Sequence, residues 1–246
     1  MARHAAPFMI PIVWIHGYPH SPKIFEPQLE IKGYRHIRPD LRNVNGTTMR
    51  DYARAVLDDI DVDRAVFAGV SMGGYITMQI VRDAPQRVLA LILMSTRETA
   101  DGDAGRAARM RAIETIRTQG AKAVTDALLP KMIVSEAVQV EGRKILESVP
   151  PEGMINALQA MASRPDSTET LRNANVPALI IAGDKDPITP PSDGERMVTL
   201  MRDAELAPIA NAAHLANYER PQQVNHIIEA WLARKVMAHE RVSAMR

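Results

Sequence analysis

A glycine-flanked serine between two structured segments most constrains the fold of this chain. The pattern is Gly69-x-Ser71-x-Gly73, and the β-prone apolar residues 65–68 come directly before it. A helical pattern follows over residues 75–83. Strand, serine and helix in this order are typical of the sharp turn that presents a nucleophilic serine at the edge of a sheet.

The steric demands of such a turn explain the two glycines. The serine backbone is strained, and a side chain at Gly69 or Gly73 would collide with the neighbouring strand or helix. The turn lifts the Ser71 hydroxyl clear of the sheet, and it places the Met72 amide at a helix N-terminus, where it can donate to a developing oxyanion. A glycine-rich turn with an incidental serine stays open here, because short motifs also arise by chance.

Composition excludes several classes of protein. The 246 residues suit one α/β domain with a small insertion, and 46% hydrophobic residues suffice for a sizeable core. A formal net charge of +1 creates no field typical of a nucleic-acid or membrane binder. Cysteine is absent, which excludes disulfides and zinc–thiolate sites and fits a reducing compartment. We therefore expect a cytoplasmic protein.

Strand and helix patterns alternate over the first 95 residues. Strands are predicted at 10–15, 34–38, 63–68 and 88–94, and helices at 21–31, 49–59 and 75–83. This alternation predicts a doubly wound, mostly parallel sheet. In such sheets the functional site lies at the carboxyl ends of the strands.

The alternation stops at residue 96 and resumes near residue 174. Helical patterns cover 104–118, 121–128, 136–146 and 153–162. Because this stretch is too long for a plain crossover, we predict a helical cap, 96–173, on a core formed by 1–95 and 174–246. The core then continues with a strand at 176–182, a helix at 192–201, a strand at 204–209 and a helix from 221 to about 235.

Three chemically suited side chains fall in loops after predicted strands. They are Ser71, Asp186 and His214, in the nucleophile–acid–base order. Serine needs a base to take its proton, histidine titrates near neutrality, and a carboxylate fixes the histidine tautomer. Asp184 is an alternative acid that is nearer the strand end, and His20 is an alternative base.

The segment after the first strand supplies the other half of an acyl-transfer site. It reads His16-Gly17-Tyr18-Pro19. Gly17 lets the backbone come close, so we expect the Tyr18 amide to be the second oxyanion donor beside Met72. We expect the His16 side chain to hydrogen-bond loop backbone.

These motifs resemble those of the α/β-hydrolase superfamily. The resemblance is strongest to small capped esterases, 3-oxoadipate enol-lactonase-like hydrolases and cofactor-free haloperoxidase or perhydrolase-like enzymes. The matching stretches are residues 16–19, 38–42, 69–74, 182–186 and 213–221. The resemblance implies an α/β-hydrolase fold and a serine nucleophile, without a metal or organic cofactor.

The chain departs from this resemblance at its N-terminal side. Only about ten residues precede the first strand, so the antiparallel hairpin that usually opens the fold is expected to be missing or reduced. The loop at residues 43–46 is also shorter than usual. One sheet edge is then left for a partner to cover, so a homo-oligomer is possible.

The motifs together predict a carboxylesterase that works through an acyl-enzyme. Near-neutral charge and an apolar cap suggest a small, uncharged or weakly polar ester or lactone as substrate, and we expect no nucleic-acid or membrane partner. Two alternatives stay open. One is an enol-lactonase or perhydrolase-like activity at the same site. The other is a ligand-binding protein on the same fold that has lost catalysis.

Overall fold

A computed structural model describes residues 9–237, and the strands in this range form a single parallel sheet. The strands are β1 (Ile10–Ile15), β2 (Tyr34–Ile37), β3 (Ala65–Val70), β4 (Val88–Met94), β5 (Ala178–Gly183) and β6 (Ala204–Ile209). They lie in the order β2-β1-β3-β4-β5-β6, and each neighbouring pair is parallel. The predicted doubly wound, mostly parallel sheet is therefore confirmed.

Helices connect these strands. They are α1 (Met49–Asp59), α2 (Met72–Asp83), α3 (Asp103–Gln119), α4 (Ala121–Met132), α5 (Glu136–Leu146), α6 (Pro151–Ala162), α7 (Thr168–Arg172), α8 (Pro191–Leu200), α9 (Ala216–Glu219) and α10 (Pro221–Leu232). Short 3₁₀ segments cover Pro22–Glu30 and Pro85–Arg87, and a π-helical turn covers Ala233–Met237. Within the described range, no helix combines the length and hydrophobicity needed to cross a membrane.

Most of the predicted elements are present, with two kinds of difference. The helix predicted over 21–31 is a 3₁₀ helix, and Pro27 inside it cannot donate an α-helical backbone hydrogen bond. The helices α7 and α9 were not predicted, because four or five residues are too few to show a helical period. The prediction for the opening hairpin concerns mainly residues outside 9–237.

The two faces of the sheet pack into two separate cores. Successive side chains of a strand point to opposite faces, so Trp14 and Ile15 of β1 enter different cores. Ile15 packs in the core that includes residues of α1 and α2, and Trp14 packs in the core that includes the first 3₁₀ helix and α10. Burial of both faces explains the nearly continuous apolar runs in the sequence.

The helices between β4 and β5 are attached to loops at the carboxyl edge of the sheet. The Arg42 guanidinium, after β2, donates to the carbonyl of Ser148 at 3.1 Å. The amides of Val134 and Ser135 donate to the carboxylate of Glu219, after β6, at 2.9 and 3.0 Å. These helices therefore contact the loops after both outer strands, β2 and β6. The predicted site residues follow strands of the same sheet at this carboxyl edge.

Gly73 marks a very close approach between α2 and β1. A Cβ at this position would lie 1.9 Å from the carbonyl oxygen of Ile15, and a Cβ on Gly69 would lie 2.3 Å from the carbonyl oxygen of Gly73. Both contacts are far shorter than van der Waals distance, and both involve backbone atoms that cannot move alone. The steric prediction for these two glycines is confirmed.

We predict that Gly73→Ala lowers the free energy of unfolding by about 3 kcal/mol or more, because the added methyl must push β1 and α2 apart. Gly102→Ala is the matched control, since a Cβ there would meet nothing within 4 Å. We expect the control to change stability by less than about 1 kcal/mol. Urea unfolding of both variants measures the difference, and equal effects would contradict the packing argument.

Candidate active site

Ser71 lies in a strained backbone conformation between β3 and α2. Its φ is 55° and its ψ is −118°, a region that a residue with a side chain adopts only when its surroundings enforce it. The Ser71 amide donates to the carbonyl of Met94 at 2.9 Å. The Ser71 carbonyl accepts the Gly74 amide and the Thr96 hydroxyl, both at 2.9 Å. The sharp strand–serine–helix turn expected from the sequence is therefore present.

The loop after β1 packs directly against this turn. A Cβ on Gly17 would lie 2.6 Å from the carbonyl oxygen of Val70 and 3.1 Å from the amide nitrogen of Met72. Only a glycine allows this approach without moving the backbone. The loop that carries the Tyr18 amide is thereby held beside the Met72 amide, which is the arrangement that two oxyanion donors require.

His214 and Asp186 form a buried hydrogen-bonded pair. Nδ1 of His214 lies 2.8 Å from Oδ2 of Asp186, and the two residues are 1% and 4% exposed. Oδ2 also accepts the Thr189 hydroxyl at 2.6 Å. Oδ1 accepts the amides of Ile188 and Thr189 at 2.8 and 3.0 Å. All four hydrogen bonds favour the ionised form of the carboxyl group.

The surroundings of Asp186 keep it a carboxylate. Burial would raise its pKa, but the charge of His214 and hydrogen bonds from His214 and Thr189 outweigh burial, so the pKa lies below its usual value. An ionised Asp186 accepts a hydrogen bond from the Nδ1–H group of His214, which leaves Nε2 as the nitrogen with the free lone pair. Asp184, by contrast, is exposed and lies 3.4 Å from the amide of Ala212. The geometry therefore favours Asp186 over Asp184 as the partner of His214.

Ser71 and His214 do not form a hydrogen bond in this structure. Nε2 of His214 is buried and has no hydrogen-bond partner among residues 9–237. Ser71 directly follows β3, Asp186 follows β5, and His214 follows β6, so all three lie at the carboxyl edge of one sheet. Catalytic hydrogen bonds are often long in free enzymes and tighten when substrate binds.

His16 has a structural role in this edge. Its Nδ1 donates to the carbonyl of Gly17 at 3.0 Å, and its Nε2 accepts the amide of Leu41 at 2.9 Å. Burial lowers the pKa of His16 to about 4, so the ring is neutral and can serve as donor and acceptor at once. The expectation that this side chain binds loop backbone is confirmed. The His16 ring joins the loop after β1 to the loop after β2.

Two polar side chains near the site were not singled out from the sequence. Thr189 contacts Asp186, and the Asp-x-x-Thr spacing typical of a carboxylate-stabilised turn was the available signal. Glu219 accepts the amide of Ala213 at 2.7 Å and, through its other oxygen, the amides of Val134 and Ser135. No local pattern distinguishes this glutamate from a surface glutamate, because its partners are distant in sequence.

A small cavity lies beside the loop after β1. Its volume is about 20 Å³, and it is lined by His16, Gly17, Tyr18, Pro19, His20, Leu41, Arg42, Tyr52, Met72, Val149, Gly153 and Ala157. This volume holds roughly one water-sized group. A larger cavity of about 460 Å³ lies between the start of β4 and the residues before β5, at the opposite edge of the sheet from Ser71. The small cavity thus lies next to the Met72 side of the serine turn, and neither Ser71 nor His214 lines it.

Potential metal ligands do not cluster in the described part of the chain. No group of three or more histidine, aspartate or glutamate side chains there is arranged to hold a metal ion.

Comparisons with known proteins agree on one family. The sequence profile of the alpha/beta hydrolase family matches residues 12–227. The AB hydrolase superfamily protein YisY of Bacillus subtilis is 30% identical over 243 residues, covering 89% of this chain and 90% of that protein. The 3-oxoadipate enol-lactonase 2 of Acinetobacter baylyi is 28% identical over 187 residues, covering 73% of this chain and 68% of that protein.

A solved structure gives the same result. A thermophilic esterase from Thermogutta terrifontis superposes with a TM-score of 0.86 at 30% identity, covering 92% of this chain and 90% of the esterase chain. The resemblance that the motifs indicated is thus confirmed over nearly the whole described sheet and its helices. The chain belongs to the alpha/beta hydrolase family.

Proposed function

We propose that this chain hydrolyses carboxylic esters, with Ser71 as nucleophile, His214 as base and Asp186 as orienting acid. The 2.8 Å contact between His214 and Asp186, buried at the same sheet edge as the strained Ser71, carries the proposal. An imidazole–carboxylate pair is expensive to bury, and apolar residues of similar volume would stabilise the fold as well. An incidental serine in a glycine-rich turn would also not require this pair nearby.

The reaction follows from the positions of these groups. Ser71 Oγ attacks the ester carbonyl while His214 Nε2 takes its proton, and the amides of Tyr18 and Met72 hold the oxyanion. The tetrahedral intermediate collapses, and the alcohol leaves with the proton from His214. His214 then activates water, which hydrolyses the acyl-enzyme and frees Ser71. Asp186 keeps the imidazole oriented and stabilises its positive charge.

The helices between β4 and β5 act as a cap in this proposal. The cap comprises residues 96–173, and the core comprises 1–95 and 174–246. Contacts to the loops after β2 and β6 support this role. A cap at this edge has to open for substrate and product, and the cap residues then select the acyl group.

A lactone hydrolase is the second candidate function. It uses the same steps, except that the released hydroxyl stays attached to the acyl group. The similarity to proteins named 3-oxoadipate enol-lactonase supports it. Independence of cofactors, location in the cytoplasm and formation of a homo-oligomer stay predictions.

We predict that Ser71→Ala keeps the fold and lowers kcat for p-nitrophenyl acetate by about 10⁴- to 10⁶-fold, because no other group can form the acyl-enzyme. Ser95→Ala is the matched control, since Ser95 is also buried, follows β4 and has a positive φ of 45°. We expect the control to retain at least a tenth of the wild-type rate. A Ser71→Ala enzyme with that much activity would remove Ser71 as the nucleophile.

We predict that Asp186→Asn lowers kcat by about 10⁴-fold, because an amide can no longer hold the tautomer that leaves Nε2 basic. Asp184→Asn is its control in the same loop, and we expect less than a tenfold loss because Asp184 is exposed and does not contact His214. Steady-state kinetics on one ester compares the pair. The reverse ranking would assign the orienting role to Asp184.

A further inference from the structure

His20 is a buried imidazole whose ring has no hydrogen-bond partner. It is 1% exposed, and neither ring nitrogen bonds to any group within residues 9–237. The other histidines packed into this part of the fold differ. His16 and His36 use both ring nitrogens, and His214 uses one. Ser21 and several other buried polar groups also lack a partner, but His20 in addition lines a cavity, and an unpartnered imidazole at a cavity can bind a ligand there.

The position of His20 places that ligand beside the reacting ester. His20 lies two residues after Tyr18, and its amide donates to the carbonyl of Gly17 at 3.1 Å, which fixes the turn. Its ring lines the 20 Å³ cavity together with Met72. His214 is near enough for its charge to act on His20. A group bound to His20 is therefore close to the proposed oxyanion site and to the base.

The electrostatics of the cavity favour a neutral ligand. Burial lowers the pKa of His20 well below its usual value, and the charges of His214 and His16 lower it further, so the ring is neutral. A neutral imidazole offers one donor and one acceptor, which match the two roles of a hydroxyl group. Arg42 lines the cavity, and Arg109 is close enough for its charge to act on Tyr18. Both guanidinium groups are already paired with carboxylates, so they do not provide a site for an anionic substrate.

We propose that His20 determines specificity by binding a hydroxyl group of the substrate close to the scissile carbonyl, so that hydroxy esters are the preferred substrates. The inference rests on the proposed ester hydrolysis. The cavity volume admits one group of this size, and a hydroxyl reproduces the hydrogen bonds that a water would make there. A methyl group of similar size would fill the space and leave both ring nitrogens unpaired.

Two ester pairs test this, and each replaces a hydroxyl by a methyl group. Ethyl lactate and ethyl isobutyrate place the difference in the acyl part. Ethylene glycol monobutyrate and propyl butyrate place it in the alcohol part. The measured quantity is the hydroxy-to-methyl ratio of kcat/KM, compared between wild type and variant, so the intrinsic reactivity of each ester cancels.

We expect His20→Phe to lower this ratio about tenfold or more for one of the two pairs, which also shows the part that carries the hydroxyl. His20→Asn keeps a donor and an acceptor and should preserve part of the ratio. Ser21→Ala is the control, because Ser21 is a buried, unpartnered hydroxyl next to His20 that does not line the cavity. The control should keep the wild-type ratio. Ratios within twofold of wild type for both pairs in His20→Phe would overturn the proposal.

A binding measurement covers the case in which His20→Phe does not fold. In the Ser71→Ala protein with isotope-labelled histidine, ethyl lactate or ethylene glycol monobutyrate should shift the His20 ring-nitrogen resonances, whereas the methyl analogues should not. Equal shifts, or no shift from any ester, would overturn the role of His20. Failure of ester hydrolysis itself is distinguishable, because wild-type protein would then turn over none of the four esters.

Discussion

The contact between the end of β1 and the turn after β3 is the constraint on which the rest of the site depends. Gly73 lies against the Ile15 carbonyl, and Gly17 lies against the Val70 carbonyl and the Met72 amide. This contact leaves no space for side chains and holds Ser71 at a positive φ. It also holds the loop that carries the Tyr18 amide beside the turn that carries Ser71 and Met72, which is the arrangement that the proposed acyl transfer needs.

A second set of hydrogen bonds holds the His214 imidazole in place and connects its loop to the helices between β4 and β5. Thr189 and Ile188 fix the Asp186 carboxylate, and Asp186 fixes His214. The loop that carries His214 is held by Glu219, whose other oxygen binds the start of the segment that leads into α5. A movement of the segment before α5 would therefore reach the loop of His214 through Glu219. In the proposed mechanism, substrate entry past these helices could shift the position of His214 in this way.

The sequence predicted the fold well where a local pattern carries the information. Both ends of β1, α1 and β6 match the prediction. A continuous apolar run marks β1, and a threonine before residue 49 marks the start of α1, where the structure shows a Thr48–Asp51 capping box. The first 3₁₀ helix was predicted as a generic helix, because apolar spacing alone does not distinguish the two types. Short helices such as α9 lack a period altogether.

Features that depend on distant packing were not accessible in this way. The sequence places His20 in a loop as an alternative base. Only its burial without hydrogen-bond partners leads to the proposed binding role. Glu219 likewise gains its meaning from three amides on two separate segments. The absence of a hydrogen bond between Ser71 and Nε2 of His214 also depends on how the loops pack, and the order of residues along the chain cannot predict it.

In the proposed mechanism Ser71 forms the covalent intermediate and His214 activates it. Labelling with a fluorophosphonate, followed by mass mapping of the peptides, tests this most directly. We expect one adduct, on the peptide that contains Ser71, and a labelling rate that falls by orders of magnitude in His214→Ala. A folded protein that shows no adduct, or an adduct on another residue, would contradict it.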